Sequence, residues 1–360
     1  MAVPKPLLNP ALNRSTMDST TNVYPRLTGI VTPSSSTIKA LNDIKYGRAE
    51  PRPLRELYSE DTKELIELQQ QNNFPYISDG QRLWGDLLRP VYEGMENVGV
   101  GSQTRWFETN GFCFPPRIAG KPRAGKADWG KYIYTDLLPA QRQITLPGLY
   151  TLLRMAENAA EVGEKPLLEA FSEQLALIIQ SLPPGKTLIE FSEPALAYDS
   201  MTQFPRQREV LTLAKLAYQH LLQQQQRTTT TTTTTTITTT TTTITTLLQL
   251  PGGNFYDYPE LLDLPVNGFG IDLTETIPND RINLEGKILS ADMVNAWESY
   301  PEDLNFDAER VRNAIKLWQP SEVYITSNAQ LYHTISYQYA RNKILDIISL
   351  TKCLTERLRD

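Results

Sequence analysis

Apolar positions recur along this chain in two periods, three-to-four residues and two, and the periods take turns. Residues 61–71 (DTKELIELQQQ) carry Leu65, Ile66 and Leu68 behind an acidic start, which is helical spacing. A short strand is expected at 74–78, a helix at 82–91, and a strand over 105–116 (RWFETNGFCFPP) ended by its double proline. Helices are predicted at 147–162 and 166–182, then a strand at 188–191 and a helix at 207–224. Downstream follow a strand at 268–273, a helix at 307–317 with Asp307 as its cap, a strand at 322–327 and a closing helix at 337–350. Alternation kept up to the end of a chain predicts an α/β fold on a parallel sheet.

One segment breaks the pattern. After Gln223–Gln226 comes a poly-Thr run over residues 228–246, interrupted only by Ile237 and Ile244. Its first half reads as a tolerated surface-loop expansion. Threonine is β-branched and favours strands, so the second half, running into TTLLQL at 245–250, is expected to be one. The low-complexity insert is set at 223–243.

Composition narrows the classes. A chain of 360 residues, 40% hydrophobic and 21% charged, can bury one large α/β core as a single domain. The 35 basic and 41 acidic residues are interspersed and net to -6, so no basic stripe awaits phosphates and nucleic acid is not an expected partner. No stretch approaches 18 apolar residues, so no membrane span is expected. Residues 1–39 hold one acid, Asp18, against Lys5, Arg14, Arg26 and Lys39, faintly like a transit peptide. Pro4, Pro6 and Pro10 interrupt any amphipathic or signal-peptide helix there, so residues 1–27 are read as a poorly ordered or barrel-capping arm. Cys113 and Cys353, far apart, suggest a reducing, cytoplasmic setting without a disulfide framework.

Two segments run from an apolar strand straight into a polar tip: YISDGQRLWGDLLRP at 76–90 and LIEFSEPAL at 188–196. Such tips lie where barrel enzymes build their sites. Together with ITLPGLYTLLRMA at 144–156 and LPVNGFGIDLTET at 264–276, they resemble the cobalamin-independent methionine synthase family, in particular short members similar to its catalytic C-terminal domain. The likeness runs from about Thr28 to Leu350. It implies a single-domain (β/α)8 TIM barrel over 28–360 and a methyltransferase whose zinc activates a homocysteine-type thiol toward a methylated folate.

The zinc ligands implied by that resemblance do not survive in this sequence. The His-x-Cys pair falls on Leu248 and Leu250, the glutamate on Glu275 and the last cysteine on Asn328. Only two histidines, His220 and His333, and two cysteines exist to replace them, so no metal centre is expected and the cofactor is left unknown. The substrate positions change as well: the amino-acid-binding glutamate corresponds to Gln81, an aspartate to Ser192, and the tryptophan that stacks on the pterin to Met155.

Polar groups remain at the expected mouth. Asp79, Gln81, Asp86, Asn110, Ser192, Asn254 and Asp272 are the substrate-binding candidates, although any polar tip can also be a solvated loop end. Glu193 and Glu275 each follow an apolar strand directly and form the best pair for acid–base or cation-binding work; holding a hard metal such as Mg²⁺ through waters is another use of two carboxylates. The expected function is a methionine synthase-like methyltransferase with a degraded zinc site, acting on a small-molecule thiol and methyl donor. The alternatives are a zinc-free barrel enzyme on another small molecule and a non-catalytic ligand- or partner-binding protein.

Overall fold

Seven strands form one parallel sheet in the computed structural model, which describes residues 21–359 apart from Glu108, Asn110, Ala127, residues 227–241 and Ile335. Numbered along the chain they are β1 Asn22–Pro25, β2 Gln141–Pro147, β3 Lys186–Ser192, β4 Thr243–Leu250, β5 Gly268–Asp272, β6 Ile288–Val294 and β7 Glu322–Ser327. From β2 to β7 each strand pairs with the next, and β7 pairs with β1. Helices such as Glu164–Gln180, Gln207–Gln226 and Leu304–Trp318 cover the outside, burying their apolar stripes against the sheet. This is the (β/α)8 order, with one position left between β1 and β2. Among the described residues no helix is long and apolar enough to cross a membrane.

The eighth position shows why the strand expected at 74–78 shrinks. Only Ile77 pairs there: it bridges Arg142, donating to the Gln141 carbonyl at 3.2 Å and accepting from the Gln143 amide at 2.9 Å. Pro75 has no N–H to give. Two buried glutamines take over the ladder, because a carboxamide carries the same donor and acceptor as a peptide. Gln69 accepts from Ser78 N–H at 2.9 Å and donates to Ser78 C=O at 2.7 Å; Gln81 does the same for Thr145, at 2.7 and 2.9 Å.

Other expectations shift for local reasons. The helix expected at 82–91 is a 3-10 turn, Arg82–Trp84, and one α turn, Arg89–Tyr92, parted by Gly85 at φ 73°. The span 105–116 belongs to two antiparallel ribbons, Thr104–Arg105 with Phe112–Cys113 and Glu96–Val100 with Pro116–Arg123. Asp303, not Asp307, caps the helix Leu304–Trp318, accepting from the Asn305 and Phe306 amides. β1 brings residues 22–25 into the barrel, ahead of the start expected at 28, while residues 1–20 lie outside the described residues. The end of the threonine run is strand from Thr243 onward.

Alternation along the strands fills the barrel in layers. At the amino-terminal end Leu188, Leu247, Ile288 and Tyr324 cluster with Tyr24 and Tyr76. One layer higher the interior turns polar, with Arg26, Glu190, Gln249 and Ser290 all buried. Since Leu247 and Gln249 face the axis, Leu248 and Leu250 face the helices, where they join the large outer core.

Candidate functional site at the barrel mouth

The carboxyl ends of the strands surround a cavity of about 320 Å³. Its floor is polar: Thr28 follows β1, and Thr145, Ser192 and Gln249 end or nearly end β2, β3 and β4. One wall is aromatic, with Trp106, Phe107 and Tyr198 in a continuous row; the ring centroids are 4.8 Å apart in the first pair and 5.5 Å in the second. Trp297 and Met201 stand on the rim, 47% and 74% exposed. Phe107 holds φ at 42°, a left-handed conformation rare for a bulky side chain.

Beneath the floor lies a buried ionic cluster. Arg26 pairs with Glu190 and donates to Ser290 Oγ at 2.8 Å, with Asp292 3.7 Å away. Thr28 donates to Glu190 at 2.5 Å, Ser290 donates to Asp292 at 2.7 Å, and Gln249 Nε2 donates to Asp292 at 2.9 Å. Two carboxylates and a guanidinium can be buried here only because each is paired and bonded. Thr28 and Gln249 belong both to this cluster and to the cavity floor, so they transmit its geometry to whatever the cavity holds.

Burial pushes the Asp292 carboxyl up to about 7, and Glu190 pushes the same way, against the pull of Arg26 and the bonds from Ser290 and Gln249. A carboxyl whose folded value exceeds its unfolded value holds its proton more tightly when folded, so its favourable contribution is greatest at low pH and is lost as pH rises toward 7. Accordingly Asp292→Asn should flatten the pH dependence of stability. Urea unfolding of parent and variant at pH 4, 5.5 and 7 checks this: the parent should lose stability relative to the variant with each step upward.

Of the described candidates, only Ser192 lines the cavity. Glu193 does not face it. Its carboxylate is buried and accepts from Tyr150 N at 3.0 Å, Thr151 N and Oγ1 at 2.7 Å each, and the Tyr218 hydroxyl at 2.6 Å. It therefore caps the helix Leu149–Met155, and Gly148 is required beside it because a Cβ there would collide with the Glu193 carboxyl group. Glu275 is exposed on the loop after β5 and does not line the cavity either, so the expected acid–base pair does not meet in it.

The other candidates shape the mouth rather than line it. Asp79 accepts from Gln81 N and Tyr134 N, and Asp86 from Leu88 N, Arg89 N and Phe114 N, so both hold loops. The Gln81 carboxamide is consumed by Thr145. Asn254 caps the 3-10 turn Phe255–Asp257. Asp272, pushed up to about 6 by burial, accepts from Gly252 N and from Thr274 N and Oγ1, which pins the Gly252 turn at the cavity edge. Asn328 ties two loops together, accepting from Ala296 N at 2.9 Å and donating to Thr274 Oγ1 at 3.2 Å. Met155 packs against the outer core, and Asn110 lies outside the described residues.

The residues at the implied zinc positions do not fit a tetrahedral centre. Leu248 and Leu250 point to the helices, so even histidine and cysteine there would face away from the cavity. Asn328 is occupied and Glu275 stands in solvent. No group of three or more His, Cys, Asp or Glu is placed to hold a metal ion among the described residues. His220 lies in a groove between two outer helices, and the Cys113 thiol is pushed up to about 12 by burial.

The ionic cluster leaves a trace in the sequence. Glu190 sits inside LIEFS and Asp292 inside ILSADMV; an acid within an apolar strand is buried and needs a partner. That partner, Arg26, lies within residues 1–27, the expected arm, directly after β1.

Comparison with known proteins supports this architecture. The chain is similar to a B12-independent methionine synthase from Shewanella sp. W3-18-1, solved with selenomethionine, at 14% identity and a TM-score of 0.62 over 93% of this chain and 97% of that one. It is also similar to a putative vitamin-B12 independent methionine synthase from Listeria monocytogenes, at 12% identity and a TM-score of 0.62 over 92% and 98%. No curated protein matches. The family model for the N-terminal domain of cobalamin-independent synthase matches residues 91–318, whereas the sequence motifs suggested the catalytic C-terminal domain. Because that match spans more than half of its length, the chain belongs to the cobalamin-independent synthase family.

Proposed function

We propose that this chain is a methionine synthase-like barrel that binds a small molecule at its mouth without zinc-activated thiol chemistry. The observation that carries the reading is the contrast between the two sets of positions. The cavity has a polar floor and an aromatic wall, as ligand pockets do. Of the positions that would hold zinc, Leu248 and Leu250 turn to the helices, Glu275 stands in solvent and Asn328 ties two loops together. A thiol is mostly protonated at neutral pH, and methyl transfer to it needs a metal or cation to favour the thiolate. Among the described residues no cationic side chain lines this floor, and no group of three or more His, Cys, Asp or Glu is placed to hold a metal.

Elemental analysis of purified protein should find less than one zinc per chain. Thermal-shift measurements with homocysteine, methyl-folates and uncharged aromatic compounds should find a compound that raises the unfolding temperature; at 100 times its Kd the gain is roughly 2.7 kcal/mol. Ser192→Phe, which fills the floor, should abolish the shift. Stoichiometric zinc, or methyl transfer from a methyl-folate to homocysteine by the purified protein, would establish the methyltransferase reading instead.

A further inference from the structure

We infer that the mouth cavity takes an uncharged, flat molecule whose N–H edge meets Gln249 and Thr28. The inference rests on the binding reading above and narrows it to a chemical class.

The first observation is charge. Among the described residues, none of those lining the cavity carries a formal charge. Arg26, Glu190 and Asp292 lie below the floor and are already paired with one another, while Asp272 and Glu193, next to lining residues, spend their carboxylates on amides and hydroxyls. An anion or a cation entering the cavity would shed water and meet no unspent counter-charge. A zwitterionic amino acid would do so twice.

The second observation is donor–acceptor balance. Gln249 gives one Nε2 proton to Asp292, so Oε1 and a second N–H remain for a ligand. Thr28 Oγ1 lies 2.5 Å from Glu190 and 3.2 Å from Gln249 Oε1. A hydroxyl has one proton, and the charged, nearer acceptor takes it. The floor therefore presents a lone pair at Thr28 and an amide edge, Oε1 and one N–H, at Gln249, beside a Ser192 hydroxyl that can give or accept. Such a floor asks for a donor edge such as an amide or an amino group on a ring.

The third observation is shape. The row Trp106–Phe107–Tyr198 supplies an aromatic wall whose rings meet at 75° and 56°, offering single ring faces to a flat ligand, and Phe107 keeps its left-handed backbone there. Trp297 and Met201 are large, apolar and exposed on the rim, where a ring would cover them.

Three probes of one shape and three charges test this: naphthalene-2-carboxamide, the matching carboxylate and the matching carboxamidine. Isothermal titration should show the carboxamide binding at least tenfold tighter than either ion. Trp297→Ala, a half-exposed rim change that leaves the core intact, should weaken the carboxamide at least tenfold. Equal or tighter binding of the carboxylate or amidine overturns the inference, as does an unchanged affinity in Trp297→Ala. If homocysteine or a methyl-folate binds in a Ser192-dependent way while the carboxamide does not, the inference falls and the binding reading stands.

Discussion

Replacing Arg26 by methionine will destabilise the protein by about 3–5 kcal/mol at neutral pH, the usual cost of removing one partner from a buried ion pair. Methionine fills a similar volume, so the loss reports charge more than packing. It leaves Glu190 and Asp292 facing each other inside the barrel with no cation, and it removes the donors to Ser290. The loss should shrink at pH 5, where Asp292 keeps its proton. Urea unfolding of both proteins at the two pH values measures it. A loss under 1 kcal/mol at pH 7 would show that the cluster is not the organising element of the barrel interior.

Glu193→Ala should cost about 3 kcal/mol or more, because it strands buried donors at Tyr150, Thr151 and Tyr218 that now share one carboxylate. Burial alone pushes this carboxyl upward, and those hydrogen bonds oppose the push. The same measurement separates a cap from a catalytic group. A catalytic carboxylate loses turnover with little loss of stability, whereas Glu193 should lose stability and, in the milder Glu193→Gln form, leave ligand affinity at the mouth unchanged. Unaltered unfolding in Glu193→Ala would refute the capping role and return Glu193 to the list of reacting groups.

Periodicity served well wherever an element lies on a regular face. The helix Gln207–Gln226 and the strand Glu322–Ser327 sit where their apolar spacing put them, since burying one stripe or one face leaves little choice. It failed between residues 72 and 123. There a proline, Gly85 and the carboxamides of Gln69 and Gln81 replace regular strand and helix, and side-chain hydrogen bonds leave no periodic trace.

The site divides along the same line. Residue identity alone determined that the chain holds only two histidines and two cysteines, and that the strand tips carry polar groups. It also placed the chain in a barrel family through four short motifs. Which way each tip residue points was decided only by the tertiary structure. A strand alternates with period two, so an alignment one residue off exchanges the inside of the barrel for the outside. That parity sends Leu248 and Leu250 to the helices and Gln249 to the floor. Glu193, one residue past the end of β3, turns into a helix cap while Ser192 faces the cavity. The pairing of Arg26 with Glu190, 164 positions apart, exists only because barrel closure brings β1 across from β3. No local pattern records a contact of that separation, because its energy comes from a dielectric environment that the rest of the chain must first assemble.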